Sequence, residues 1–94
     1  MPSRNVFLGS PGPYRYRADV IEQLWAHGAH PTDRTPPELA RGFVRELYKY
    51  EIRQLRERML TLQFPRAEYS PRVDALRRRY PVLALPARLW VEQP

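Results

Sequence analysis

Between residues 36 and 62 the large apolar side chains recur at helical intervals, in two adjoining strips. Leu39, Phe43, Leu47 and Tyr50 make the first; Val44, Tyr48, Ile52, Leu55, Met59 and Leu62 make the second. At about 100° per residue the two strips lie side by side, giving a broad apolar arc in the first half and a narrower one in the second. Arg45, Lys49, Arg53 and Arg56 gather on the opposite side, flanked by Glu46 and Glu57. Shorter patterns of the same period lie on either side. Val20, Ile21, Leu24 and Trp25 share one face of a predicted helix over about 17–27, and Val73, Leu76 and Tyr80 share one face over about 70–80.

The residues between these patterns supply starts and stops. Gly28 follows His27 as a natural helix terminator. "TPPE" places Thr35 as N-cap, Pro36 as first helical residue and Glu38 where a capping box needs it. From there only Gly42 weakens the pattern before Pro65. Ser70 and Pro71 repeat the cap-then-proline signal, and Pro81 closes the third helix, because the residue before a proline avoids the α region. The expected fold is therefore all-α: three helices (about 17–27, 36–62 and 70–80), the middle one long, with extended proline-rich arms at both ends. Residues 1–16 form the first arm, 17–80 a small helical domain, and 81–94 an apolar tail with one helical turn near Pro86–Trp90.

Composition sharpens this picture. A chain of 94 residues with 43% hydrophobic content builds one small core. Eleven prolines, mostly at the ends and between helices, take residues out of it. A core of this size supplies only about 3–5 kcal/mol. With no cysteine there is no disulfide staple and no zinc-finger site, so support from a second copy or a larger assembly is expected. Leu83, Leu85, Leu89 and Trp90 in the tail are too apolar to dangle and should be covered by the long helix or by a partner.

The net charge of +6 sits almost wholly in residues 48–94. Such a field attracts nucleic acid, anionic lipid or acidic protein alike. Fifteen arginines stand against one lysine, a bias that suits planar guanidinium contacts and also follows from a GC-rich coding sequence. The start of the chain has too short an apolar stretch for a signal peptide, and no run is long enough for a membrane span. A soluble cytoplasmic protein is expected.

Little here supports catalysis. Ser3, Ser10 and Ser70 lie in proline contexts outside any nucleophile motif, and there is no glycine-rich phosphate loop. His27, His30 and Asp33 are the only metal-like grouping, and Gly28 separates the two histidines. No enzyme activity, metal or other cofactor is expected. "PYRYR", "YKYEIR" and "RRRYP" interleave rings with cations as nucleic-acid binders do. On the long helix, however, Tyr48 and Tyr50 belong to the apolar arc, away from the basic stripe.

Two functions compete. The leading one is a non-enzymatic accessory or adaptor subunit that docks on a larger protein complex, or forms a homo-oligomer. Its docking residues are Phe43, Leu47, Tyr48, Ile52, Leu55, Met59 and Leu62 on the long helix and Leu83, Leu85, Leu89 and Trp90 in the tail. The alternative is an RNA- or DNA-binding protein whose anion contacts are Arg45, Lys49, Arg53, Arg56, Arg77, Arg78 and Arg79.

Overall fold

The first helix, α1 (Ala18–Ala26), forms because Val20 and Leu24 turn one apolar face inward while Asp19 serves its N-terminal turn. The Asp19 carboxylate accepts the Val20 N–H at 3.0 Å and holds the Arg17 guanidinium at 2.9 Å. The helix ends at the expected glycine. Gly28, at φ 79°, donates its N–H to the Trp25 carbonyl, and Ala29 donates to Leu24. This paired closure is a Schellman motif, with glycine in its left-handed position. Trp25 departs from expectation: it lies at the edge of the apolar face, is 57% exposed, and rests against His30 with ring centroids 5.9 Å apart. The computed structural model describes residues 12–92; of the two arms, residues 1–11 and 93–94 lie outside the described residues.

The long helix, α2 (Pro37–Leu60), is 24 residues and about 36 Å in length. The capping box predicted at Thr35 does not form. Pro36 is the N-cap, extended at ψ 135°, without a side-chain cap bond. The cause is the second proline: Pro37 bars the α conformation to Pro36, so the helix begins one residue later than the motif requires. The Thr35 hydroxyl instead accepts the Thr32 N–H at 3.0 Å, closing the preceding turn, and the Thr35 carbonyl accepts the Tyr16 hydroxyl at 2.7 Å. At the other end α2 stops at Leu60, two residues short of the predicted limit. Leu62 donates to the Met59 carbonyl and Gln63 to Arg58. The closure is the same as at Gly28, but here a leucine holds the left-handed position, at φ 62°.

The third helix, α3 (Tyr69–Arg78), likewise lacks its predicted cap. A 3-10 turn over Arg66–Glu68 runs straight into it, so the chain is already helical before Ser70. The extended residue that starts this run is Pro65, and Ser70 and Pro71 fall inside the first turn of α3, where a missing N–H is harmless. The helix ends at Arg78, just ahead of Pro81.

After Pro81 the chain coils into two 3-10 turns, Pro81–Ala84 and Ala87–Leu89; the second is the turn expected near Pro86–Trp90. Trp90 is fully buried, and its indole N–H is shared between the carbonyls of Val82 and Leu85, each at 3.2 Å. Arg41 on α2 donates to the carbonyls of Leu83 (2.6 Å) and Leu85 (3.0 Å). Arg17 ties the last turn to the start of α1, through its guanidinium to the Leu89 carbonyl and its N–H to the Trp90 carbonyl. Tyr16 and Val91 form a single antiparallel bridge. The core thus lies between α1, the first half of α2, α3 and the tail, with Val20, Leu24, Val44, Val82 and Trp90 fully buried and Leu76 and Tyr80 packed with them. Leu55 and Phe64 are buried outside this cluster, beside the second half of α2. No helix among the described residues is long and apolar enough to cross a membrane.

Candidate docking face

The two apolar strips of α2 have different fates. In the strip that faces inward, Val44 and Leu55 are buried and Tyr48, Ile52 and Met59 are half-buried. The adjoining strip is left to solvent: Leu39 is 67% exposed, Phe43 50% and Tyr50 55%, with only Leu47 half-buried against the core. From Leu39 to Tyr50 the strip runs about 16 Å along the helix. Beside it lies a shallow groove of about 240 Å³ lined by His30, Pro31, Leu39 and Phe43, with Trp25 resting against His30. One rim of this face comes from the loop that Gly28 turns, and the other from α2 itself.

The expected docking residues therefore divide. Phe43 sits on the exposed face. Leu47, Tyr48, Ile52, Leu83 and Leu85 pack against the core, and Leu55 and Trp90 are buried, covered by the chain itself. Met59 is half-buried near the end of α2. Leu89 is partly exposed, and Leu62, lying beyond the helix, is 87% exposed. Trp25, Leu39 and Tyr50 belong to the face and were not among the residues expected to dock. A 4-4-3 spacing from Leu39 to Tyr50 is the signal that marks them as one surface.

The cations do not converge on one site. Arg45, Arg53 and Arg56 are exposed along the far side of α2, and Lys49 pairs with Glu46 at 3.3 Å. On α3, Arg77 pairs with Asp74 at 3.2 Å, Arg78 is exposed, and Arg79 reaches across to Glu51 at 2.8 Å. Glu51 also accepts the Tyr80 hydroxyl. Burial, reinforced by this bond and by the Glu51 charge, pushes the Tyr80 hydroxyl up to about 12. Burial, with the neighbouring Tyr14, does the same to Tyr16.

The histidine grouping is dispersed in the fold. His27 stacks on Tyr80 at 4.0 Å, and its Nε2–H donates to the Arg79 carbonyl at 2.6 Å. Asp33 holds the incoming arm: its carboxylate accepts the Gly12 N–H at 2.9 Å and its carbonyl the Tyr14 N–H at 3.0 Å. Among the described residues no three His, Asp or Glu side chains come together in a way that could hold a metal ion.

No family model, curated protein or solved structure matches this chain. The functional reading therefore rests on the surface. Beyond Tyr50, the exposed face opens into a cleft of about 400 Å³ between α2 and α3. Its floor is Leu55 and Leu76, and Arg58, Arg72 and Arg79 stand around it. The guanidiniums of Arg58 and Arg72 both lie over the ring of Phe64, at 5.7 and 4.1 Å from its centroid. Arg72 is also paired with Glu68 at 2.9 Å.

Proposed function

We propose that this chain is a non-enzymatic accessory subunit that docks on a larger protein through the face made by Trp25, Leu39, Phe43 and Tyr50. One observation carries the reading. Leu39, Phe43 and Tyr50 remain exposed along one strip of α2, and Trp25 is exposed against His30 at the edge of the same groove, although the fold buries smaller side chains such as Ala40 and Val44 nearby. Scattered exposed leucines need no explanation, but a contiguous patch with aromatic members is what protein interfaces present. Tyrosine, tryptophan and phenylalanine bring large contact area for few rotatable bonds, which makes them strong anchors.

The test is assembly in the native cell. A tagged chain is purified and the size and composition of what co-elutes are measured, for wild type and for Phe43→Asp. Phe43 is half exposed, so the substitution should leave the helical circular dichroism and the thermal midpoint nearly unchanged. The expected result is a defined protein complex that survives moderate salt and is lost in the variant. Co-elution of nucleic acid alone, released by salt and indifferent to Phe43→Asp, would overturn the reading, because phosphate contacts are the strongly salt-dependent ones.

A further inference from the structure

Tyr50 belongs to two features at once: it ends the exposed apolar strip and lines the mouth of the α2–α3 cleft. Strip and cleft are therefore one continuous surface along α2. From Leu39 to Arg58 it runs about 28 Å, the length of a helix of some five turns. Its two ends differ in chemistry. One end is apolar and aromatic. The other carries three guanidiniums above an apolar floor.

The arginine end is arranged as a receptor for carboxylates. Arg58 and Arg72 are drawn toward each other by the same ring, which stabilises each cation but brings like charges together. Among the described residues the Arg58 guanidinium makes no hydrogen bond or ion pair, only its contact with the Phe64 ring. The pairs that occupy Arg72 and Arg79 are solvent-exposed, so each contributes little and can be exchanged for a better-placed partner. A guanidinium fork takes a carboxylate in two parallel bonds, which the present Glu51 contact to Arg79 does not supply.

We infer that the occupant of this surface is an acidic amphipathic segment of a partner protein, with large apolar side chains at one end and two or more Asp or Glu at the other. The apolar end lies on Leu39 and Phe43, and the carboxylates enter between Arg58 and Arg72. This rests on the docking function proposed above and adds the partner's chemistry and direction. Nucleic acid fits less well. Glu51 and Glu68 stand beside the same arginines and repel a continuous phosphate backbone, while discrete carboxylates can be placed between them.

The experiment selects twenty-residue peptides from a random display library on the full chain and measures the selected peptides by fluorescence anisotropy. The expected consensus is an apolar cluster followed by acidic residues. Arg58→Glu should weaken binding at least tenfold while circular dichroism shows the helices intact, since the guanidinium loses its contact with the Phe64 ring but no ion pair among the described residues. A peptide with its acidic residues changed to Lys should recover binding to that variant. Peptides without acidic enrichment, or a change of less than twofold in Arg58→Glu, would overturn the inference. Loss with Phe43→Asp but not with Arg58→Glu keeps the docking face and refutes the acidic occupant. Loss with Arg58→Glu but not Phe43→Asp refutes the docking face and leaves the arginine cleft. Tighter, Arg58-dependent binding of a twenty-nucleotide single-stranded RNA would reassign the cleft to phosphate.

Discussion

Leu62→Gly is expected to make the protein more stable. Leucine at φ 62° carries the clash between Cβ and the following carbonyl that L-residues meet in the left-handed region, a cost of about 1–2 kcal/mol. Glycine removes that cost but widens the unfolded ensemble, which returns about 0.4–1 kcal/mol. The side chain is 87% exposed, so little burial is lost. Both closing bonds, Leu62 to Met59 and Gln63 to Arg58, are made by the backbone and survive the change. At mid-range the net gain is about 0.8 kcal/mol, or a rise of about 3–6 °C in midpoint for a domain of this size. Thermal and urea unfolding followed by circular dichroism at 222 nm measure it, with an unchanged urea slope showing that the unfolded state is comparable. Leu62→Ala is the control, because it trims the side chain but keeps the strain. If Leu62→Gly were no more stable than Leu62→Ala, the left-handed backbone would not be a cost here and the reasoning would fail.

Arg41→Ala should cost about 1.5–3 kcal/mol, the worth of hydrogen bonds from a charged donor to carbonyls that are then left unpaired; urea unfolding measures the loss, and faster proteolysis after Arg88 should accompany it. Tyr80→Phe should change the alkaline limit of the fold. Because the folded hydroxyl titrates at about 12 against 10.0 for the free group, its stabilisation is complete below pH 10 and lost as pH rises toward 12. Absorbance at 295 nm with parallel dichroism should show wild type losing structure across that window, and the variant less so. Thr35→Ala should leave the helical signal intact and lower the midpoint only slightly, since its hydroxyl closes the Thr32 turn and caps nothing; a clear loss of helicity would restore the capping box.

What could be read in advance was local and covalent. Gly28 announces the end of α1 because few other residues take its backbone angle without cost. The absence of any breaker between Pro37 and Pro65 is enough for a long α2. Neither predicted cap forms, because caps are contests between neighbours: Pro37 constrains Pro36 more strongly than the Thr35 hydroxyl attracts an N–H, and Pro65 starts a helical run before Ser70 is reached. The end of α2 was overrun because no glycine marks it.

The two strips of α2 were visible, but not which would face inward. That choice follows from tertiary packing. Ala40 and Val44 are small and buried on the side where the 3-10 turns of the tail pack on α2, and the larger Leu39 and Phe43 are turned away. Arg41 gave no signal at all. Its partners are carbonyls of the 3-10 turns around Leu83 and Leu85, which exist only once the tail has coiled. Arg58 and Arg72 are brought together by Phe64, from a loop that pattern reading leaves blank.

The burial of Trp90 also sets an order for events during synthesis. The helices draw on neighbours in sequence, but Val20, Leu24 and Val44 are sealed by a ring some seventy residues after the first of them. As the chain leaves the ribosome, α1 and α2 emerge complete while their shared apolar surface is still open. It stays open until the last turn, with its Trp90–Arg17 bond, has been made. For that interval the nascent chain shows water both the exposed strip of Leu39, Phe43 and Tyr50 and the unfinished core. Collapse onto a chaperone, or onto a partner already present, would protect it.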